Sequence, residues 1–303
     1  MPKLIFMGTP SYAARILDEL IACKFSVVGV FTGADKPVGR KQILTPSAVK
    51  TLAKEKIPQI PIFTPKNLKD DEILAEIQAL KPDFIVVAAY GKILPKEILH
   101  IAPCINLHAS LLPKYRGASP IQQAILNGDE ISGVCAMLMN EKLDAGAVLK
   151  SVNLNIKDKK ADAVFNEMSE LAARLCVETL KEFGTLKAQP QDESKATFCT
   201  KIKKENGLVN LDNAKEIYHK FLAFYPWPGV FLANGLKFVE LEFVDNAAHE
   251  RAGEIVSVEK ENFLLACKMG TLRIKALQES GKKALNAKVY LNGKRLGRGD
   301  NLC

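Results

Sequence analysis

Along the first half of the chain, unbroken apolar runs alternate with stretches in which apolar positions recur every three to four residues. The unbroken runs fall at residues 3–8, 26–31, 60–63 and 83–89. Runs of that length suit strands buried on both faces. The periodic stretches at 11–21, 46–56, 68–80 and 118–126 predict amphipathic helices, with Ser11 as a candidate cap for the first. Two more strands are expected at 134–139 and 148–156. A long helix is expected over 161–183, where apolar residues at 164, 165, 168, 171, 175 and 180 keep near the helical period and Gly184 supplies a stop. Strands alternating with helices imply a mostly parallel, doubly wound sheet. In such a sheet ligands sit at the carboxyl ends of the strands.

After Gly184 the pattern changes. Residues 188–206 are polar and broken by Pro190, which suits a linker. A helix is expected at 214–224. Beyond it, short β-type runs at 230–233, 237–244, 253–258, 263–266 and 272–277 have the spacing of a small barrel. The expected fold class is therefore α/β: a Rossmann-like, mostly parallel doubly wound sheet over 1–187, a linker at 188–206, and a smaller C-terminal β-barrel of OB-like type over 207–303.

Composition agrees with this division. A chain of 303 residues, 48% hydrophobic and 25% charged, is long enough for two domains with their own cores. The longest strongly apolar run, residues 84–90, is far shorter than the ~18 residues of a membrane span, so no membrane partner is expected. The N-terminus carries one Lys and four apolar residues before Gly8-Thr9-Pro10, which reads as a buried strand and not as a signal peptide. The seven cysteines are scattered and form no C-x-x-C pair; a cytoplasmic location and no catalytic metal are expected. The net charge of +8 is concentrated at the end of the chain. Residues 266–303 hold nine Lys and Arg against Glu279 and Asp300. That points to a polyanionic partner.

The candidate chemistry lies at the end of the strand near residue 106. Asn106 and His108 are two apart and so share one strand face. The first offers an amide donor, the second a group that titrates near neutrality. Asp144, after the next strand, offers a carboxylate to orient the imidazole. No serine or cysteine is placed as a nucleophile with these three. The set suits direct attack of a substrate amine on a carbonyl, with Asn106 holding the developing oxyanion. Spacing alone leaves transferase and hydrolase both open. The absence of G-x-G-x-x-G after the first strand argues against a dinucleotide oxidoreductase.

The stretch Asn106-Leu-His108-Ala-Ser110-Leu-Leu-Pro113-Lys-Tyr-Arg-Gly117 resembles the signature of the folate-dependent formyltransferases. Phe6-Met-Gly8-Thr-Pro10, Tyr90-Gly91-Lys-Ile-Leu-Pro95, Leu143-Asp144-Ala-Gly146, Tyr225-Pro-Trp227-Pro and Gly281-Lys-Lys-Ala-Leu285 extend the resemblance over both domains. The resemblance implies transfer of the formyl group of 10-formyltetrahydrofolate, the co-substrate, to the α-amino nitrogen of methionine on initiator tRNA; a monomer is expected separately. It implies that Asn106 polarises the formyl oxygen, that His108 moves protons and that Asp144 orients His108. It places the folate against Ser110, Leu111, Leu112 and Pro113, with Tyr90, Gly91, Ile93 and Leu94 lining the same pocket. It assigns tRNA contacts to Arg40 and Lys41, in the loop at 35–45, and to Lys282 and Lys283 in the basic tail. Two positions depart from the family pattern: Ala145 stands where Thr is usual, and Ala147 where an acidic residue is common.

Overall fold

The computed structural model describes residues 1–39 and 41–302. They form two compact units. The first comprises residues 1–120, 131–155 and 164–200; the second comprises 121–130, 156–163 and 201 onward.

The first unit is built on β1 (Lys3–Gly8), β2 (Ser26–Phe31), a short hairpin of β3 (Lys36–Val38) and β4 (Ile43–Thr45), β5 (Ile62–Phe63), β6 (Phe84–Ala88), β7 (Cys104–His108), the two-residue β8 (Arg116–Gly117), β9 (Ile131–Leu138), β10 (Val148–Asn155) and the two-residue β11 (Phe198–Cys199). Seven of these make one sheet in the order β10-β9-β7-β6-β1-β2-β5. The run from β7 to β5 is parallel, while β9 and β10 add on antiparallel. This is the doubly wound, mostly parallel sheet that the alternation of elements predicts. Ile5 and Met7 of β1, Ile85 and Val87 of β6 and Cys104 of β7 alternate onto one face, where they join a core cluster with Phe31, Ile77, Leu94 and Ile98. Leu4, Phe6, Val86, Ile105 and Leu107 are equally buried at the alternate positions. Burial on both faces is why these strands read as unbroken apolar runs.

Two local expectations fail for simple reasons. Ser11 does not cap the first helix, Ser11–Ala22; it is the first helical residue, and Pro10 before it has no side chain to cap with. The loop at 35–45 is in part the β3–β4 hairpin, whose strands are exposed along their length and so leave no burial pattern. Much of the polar segment 188–206 is tied into the first unit. Gln189 and Val148 exchange two backbone hydrogen bonds of 2.8 Å, and β11 pairs with β8 in parallel. Its polarity serves hydrogen bonding in place and does not signal a free tether.

The second unit holds an antiparallel sheet. Its strands are β12 (Val230–Phe231), β13 (Lys237–Ala248), β14 (Ile255–Val258), β15 (Phe263–Ala266), β16 (Met269–Gln278) and β17 (Leu285–Asn286). They run in the order β12-β13-β16-β15-β14, with β17 on β16. β13 and β16 shift register several times along their pairing. Such bulges bend and twist long strands into a small barrel-like domain. The unit also holds the helices Ala214–Ala223 and Ala287–Lys294 and all but the first residue of the helix Pro120–Leu126; the helix Ala287–Lys294 interrupts the basic tail and was not legible in its weak periodicity. Among the described residues no helix is long and apolar enough to cross a membrane.

Candidate active site

β7 lies between β6 and β9, and its last residue, His108, stands at the carboxyl end of the parallel strands. Asn106 and His108 share a face, 9% and 7% exposed. Asp144 reaches them from the turn between β9 and β10, with a left-handed backbone (φ 48°). The three side chains expected as a catalytic group do converge. Asn106 Nδ2 donates to Asp144 Oδ1 over a long 3.4 Å. His108 Nδ1 lies 3.8 Å from Asp144 Oδ2. That is ion-pair range and too long for a hydrogen bond. On its other side the ring makes a 2.9 Å bond between Nε2 and the Tyr115 carbonyl. A carbonyl only accepts, so Nε2 carries the proton of the neutral ring and Nδ1 holds the lone pair. Gly117 N–H donates to Asp144 Oδ2 at 2.9 Å and fixes the carboxylate.

The loop after β7 is wound tightly. Ser110 is fully buried, and its hydroxyl donates to the Lys114 carbonyl at 2.6 Å, closing the turn. Leu111, Leu112 and Pro113 are half-buried. Leu111 packs on Gly133, where a Cβ would come 2.7 Å from its Cδ2. Leu112 N–H donates to Cys135 Sγ at 3.4 Å, and burial pushes that thiol up to about 11.

Beyond the end of β6, the residues expected to share the pocket are divided. Tyr90 is buried, its hydroxyl has no partner among the described residues, and burial pushes it up to about 12. Gly91 has a positive φ and open space where a side chain would be. Ile93 is 81% exposed, whereas Leu94 is 3% exposed and packs in the core cluster with Ile85 and Ile98, the cluster to which the Tyr90 ring also belongs. Leu94 therefore spends its side chain on the core.

Arg40 lies outside the described residues. Lys41 is exposed beside the tip of the β3–β4 hairpin. In the second unit Lys282 and Lys283 are exposed, but Lys282 pairs with Glu279, as does Lys294. Lys268 pairs with Asp212, Arg273 with Glu242 and Glu259, and Lys275 with Glu242. Lys283, Lys288, Arg295 and Arg298 stand outside these pairs. They carry more of the tail's uncompensated charge than Lys282 does.

Sequence reasoning missed the partners that segment 188–200 brings to the site. Gln191 bonds Arg116 and two carbonyls of the Asp144 turn. Thr197 Oγ1 accepts from Tyr115 N–H at 2.9 Å. Their polar, Pro-punctuated context has no period to mark it, and the bonds span some 50 to 80 residues of chain. The described residues contain no cluster of three or more His, Cys, Asp or Glu placed to hold a metal ion.

Residues 2–180 match the formyl transferase family, and residues 201–295 match the formyl transferase C-terminal domain. A Campylobacter lari protein named methionyl-tRNA formyltransferase is 64% identical over 302 residues, covering the whole of both chains. An N-formyltransferase from Helicobacter canadensis, solved with folinic acid and dTDP-3-aminofucose, has the same fold at TM-score 0.69 and 18% identity, over 90% of this chain and 99% of that one. HypX from Aquifex aeolicus, solved with tetrahydrofolic acid, aligns at TM-score 0.62 and 19% identity, over 96% of this chain and 47% of that one.

Proposed function

The chain belongs to the formyl transferase family, and from that premise we propose that it transfers the formyl group of 10-formyltetrahydrofolate to the α-amino nitrogen of methionine on initiator tRNA. The observation that carries the reading is the Asn106–His108–Asp144 cluster, standing at the strand ends of a chain that matches a methionyl-tRNA formyltransferase from end to end.

The residues present suit the folate co-substrate. The orphaned, buried hydroxyl of Tyr90 is a neutral group that a ligand's polar edge would satisfy. Gly91 leaves open space where a side chain would stand, and Ile93 and the half-buried Leu111, Leu112 and Pro113 offer apolar surface to a flat ring. When bound, the co-substrate supplies the electrophilic formyl carbon.

The protein's own groups do the rest. Asn106 engages one amide N–H, weakly, with Asp144 and keeps the other for an oxygen gaining negative charge. Loss of one such donor costs roughly 3–4 kcal/mol of barrier in comparable sites. His108, its Nε2 proton committed to the Tyr115 carbonyl, has Nδ1 as its basic atom. A proton taken up there from the attacking amine lies opposite Asp144 Oδ2, whose negative charge opposes that of the imidazolium. The same proton can pass to the leaving nitrogen. No covalent link to the enzyme is needed.

The tRNA is bound by phosphate contacts from basic residues of the second unit and from Arg40 and Lys41. The protein works as a monomer in the cytoplasm. The test is formyl transfer from 10-formyltetrahydrofolate to charged initiator tRNA, with elongator Met-tRNA, free methionine and an amino-sugar nucleotide as competing acceptors. Product on the initiator alone is expected. Turnover on a small amine but on no tRNA would keep the site and discard the tRNA assignment.

A further inference from the structure

We infer that Gln191 is a positioning residue that holds the Asp144 turn in its working conformation, anchored by the buried guanidinium of Arg116. The inference rests on the proposed reaction and deepens it.

Asp144 sits at φ 48°, in the left-handed region that few non-glycine residues adopt, aspartate among them, and that bonds to the turn help to hold. At its base the turn is closed by Leu138 N–H, which donates to the Ala147 carbonyl at 2.9 Å, but the bonds within it are weaker. Lys142 N–H donates to Asn140 Oδ1 at 3.0 Å, and Ala145 N–H reaches the Lys142 carbonyl at only 3.5 Å. The tie that reaches the middle of the turn comes from outside. Gln191 Nε2 donates to the Asp144 carbonyl at 2.9 Å and to the Gly146 carbonyl at 2.7 Å. One amide nitrogen thus clamps the turn on both sides of Ala145. Gln191 Oε1 accepts from Arg116 Nε at 3.0 Å and Nη2 at 2.8 Å, which forces the amide to present its nitrogen to the turn. Arg116 is 2% exposed, and it also donates to both oxygens of Glu193, at 3.0 and 2.8 Å. A buried guanidinium paired in this way has little freedom to move.

The next residue, Gly117, donates its N–H to Asp144 Oδ2. Both ends of Asp144, its carboxylate and its carbonyl, are therefore referred to one two-residue strand, one end directly and the other through Gln191. Gln191 reaches Asp144 only through the main chain. It should govern how well the carboxylate serves His108 and Asn106, and leave substrate binding alone.

The experiment is a double-mutant cycle of Gln191→Met with Asp144→Ala, read as kcat and as KM for each substrate, together with amide hydrogen exchange at Gly117. In the wild-type background Gln191→Met is expected to lower kcat at least ~30-fold with both KM values within about twofold, since misplacing a catalytic group by an ångström costs of that order. In the Asp144→Ala background the same change should cost less than about threefold, because the residue it serves is gone. Exchange at Gly117 should quicken at least about tenfold while β7 keeps its protection. Gln191→Glu, which keeps the acceptor for Arg116 but loses the donor, should behave as Gln191→Met does and stands in for it if the latter does not fold. An equal loss of kcat in both backgrounds, a change confined to KM, or unchanged exchange at Gly117 would overturn the inference. A wild-type protein without formyl transfer would instead defeat the reaction assignment, and the exchange measurement would still decide the role of Gln191.

Discussion

Gly117 shows how closely packing and chemistry share single residues here. Its φ is 120°, and a Cβ at that position would lie 2.2 Å from the Cys199 carbonyl oxygen, across the β8–β11 pair. Only glycine lets the two backbones approach while its N–H meets Asp144 Oδ2. Gly117→Ala is expected to lower unfolding free energy by about 2 kcal/mol or more and to reduce kcat, as read by denaturant melts and initial rates. Retained stability with normal turnover would show that β11 yields without disturbing the carboxylate. Asn106, His108 and Asp144 were legible as residues because each carries chemistry that a core strand or a plain turn does not require. Gln191 was not, since a glutamine in a polar stretch carries no signal until a buried arginine more than 70 residues away is seen beside it. Ser110 and Leu94 were placed against the folate by resemblance. The structure gives the Ser110 hydroxyl to the Lys114 carbonyl and Leu94 to the core.

At the scale of elements, the strands of the parallel sheet were readable because burial on both faces writes an unbroken apolar run into the sequence. The β3–β4 hairpin was not, because Val38, Ile43 and Leu44 are 55%, 62% and 66% exposed and face no core. An exposed apolar hairpin is an unusual feature to keep unless something docks on it. Replacing residues 37–44 by a short Gly-containing turn should raise KM for the tRNA at least about tenfold while KM for the folate stays within about twofold. Equal effects on both substrates would remove the hairpin, with Arg40 and Lys41, from tRNA binding. The polar segment 188–206 misled in the other direction. Its composition resembles a linker, yet Gln189, Gln191, Thr197 and β11 are all engaged within the first unit.

For the whole molecule, charge was legible from the sequence in amount but not in arrangement. Nine basic residues crowd the end of the chain, but five of them are offset by acids that the fold brings up. Lys283, Lys288, Arg295 and Arg298 lie outside those pairs, and binding of phosphates by such groups releases counterions. Neutralising all four together should flatten the dependence of log Kd for tRNA on log salt by about one for each phosphate that is no longer neutralised, as measured by filter binding across a salt series. An unchanged slope would move the tRNA surface elsewhere.

The central claim, that Asn106, His108 and Asp144 carry formyl transfer to an amine, meets its most direct test in the turnover of His108→Ala. With 10-formyltetrahydrofolate and charged initiator tRNA both saturating, the account predicts formylation by the wild type and a fall in kcat of at least ~10²-fold in the variant, with both substrates still bound. A variant that turns over at the wild-type rate would contradict it.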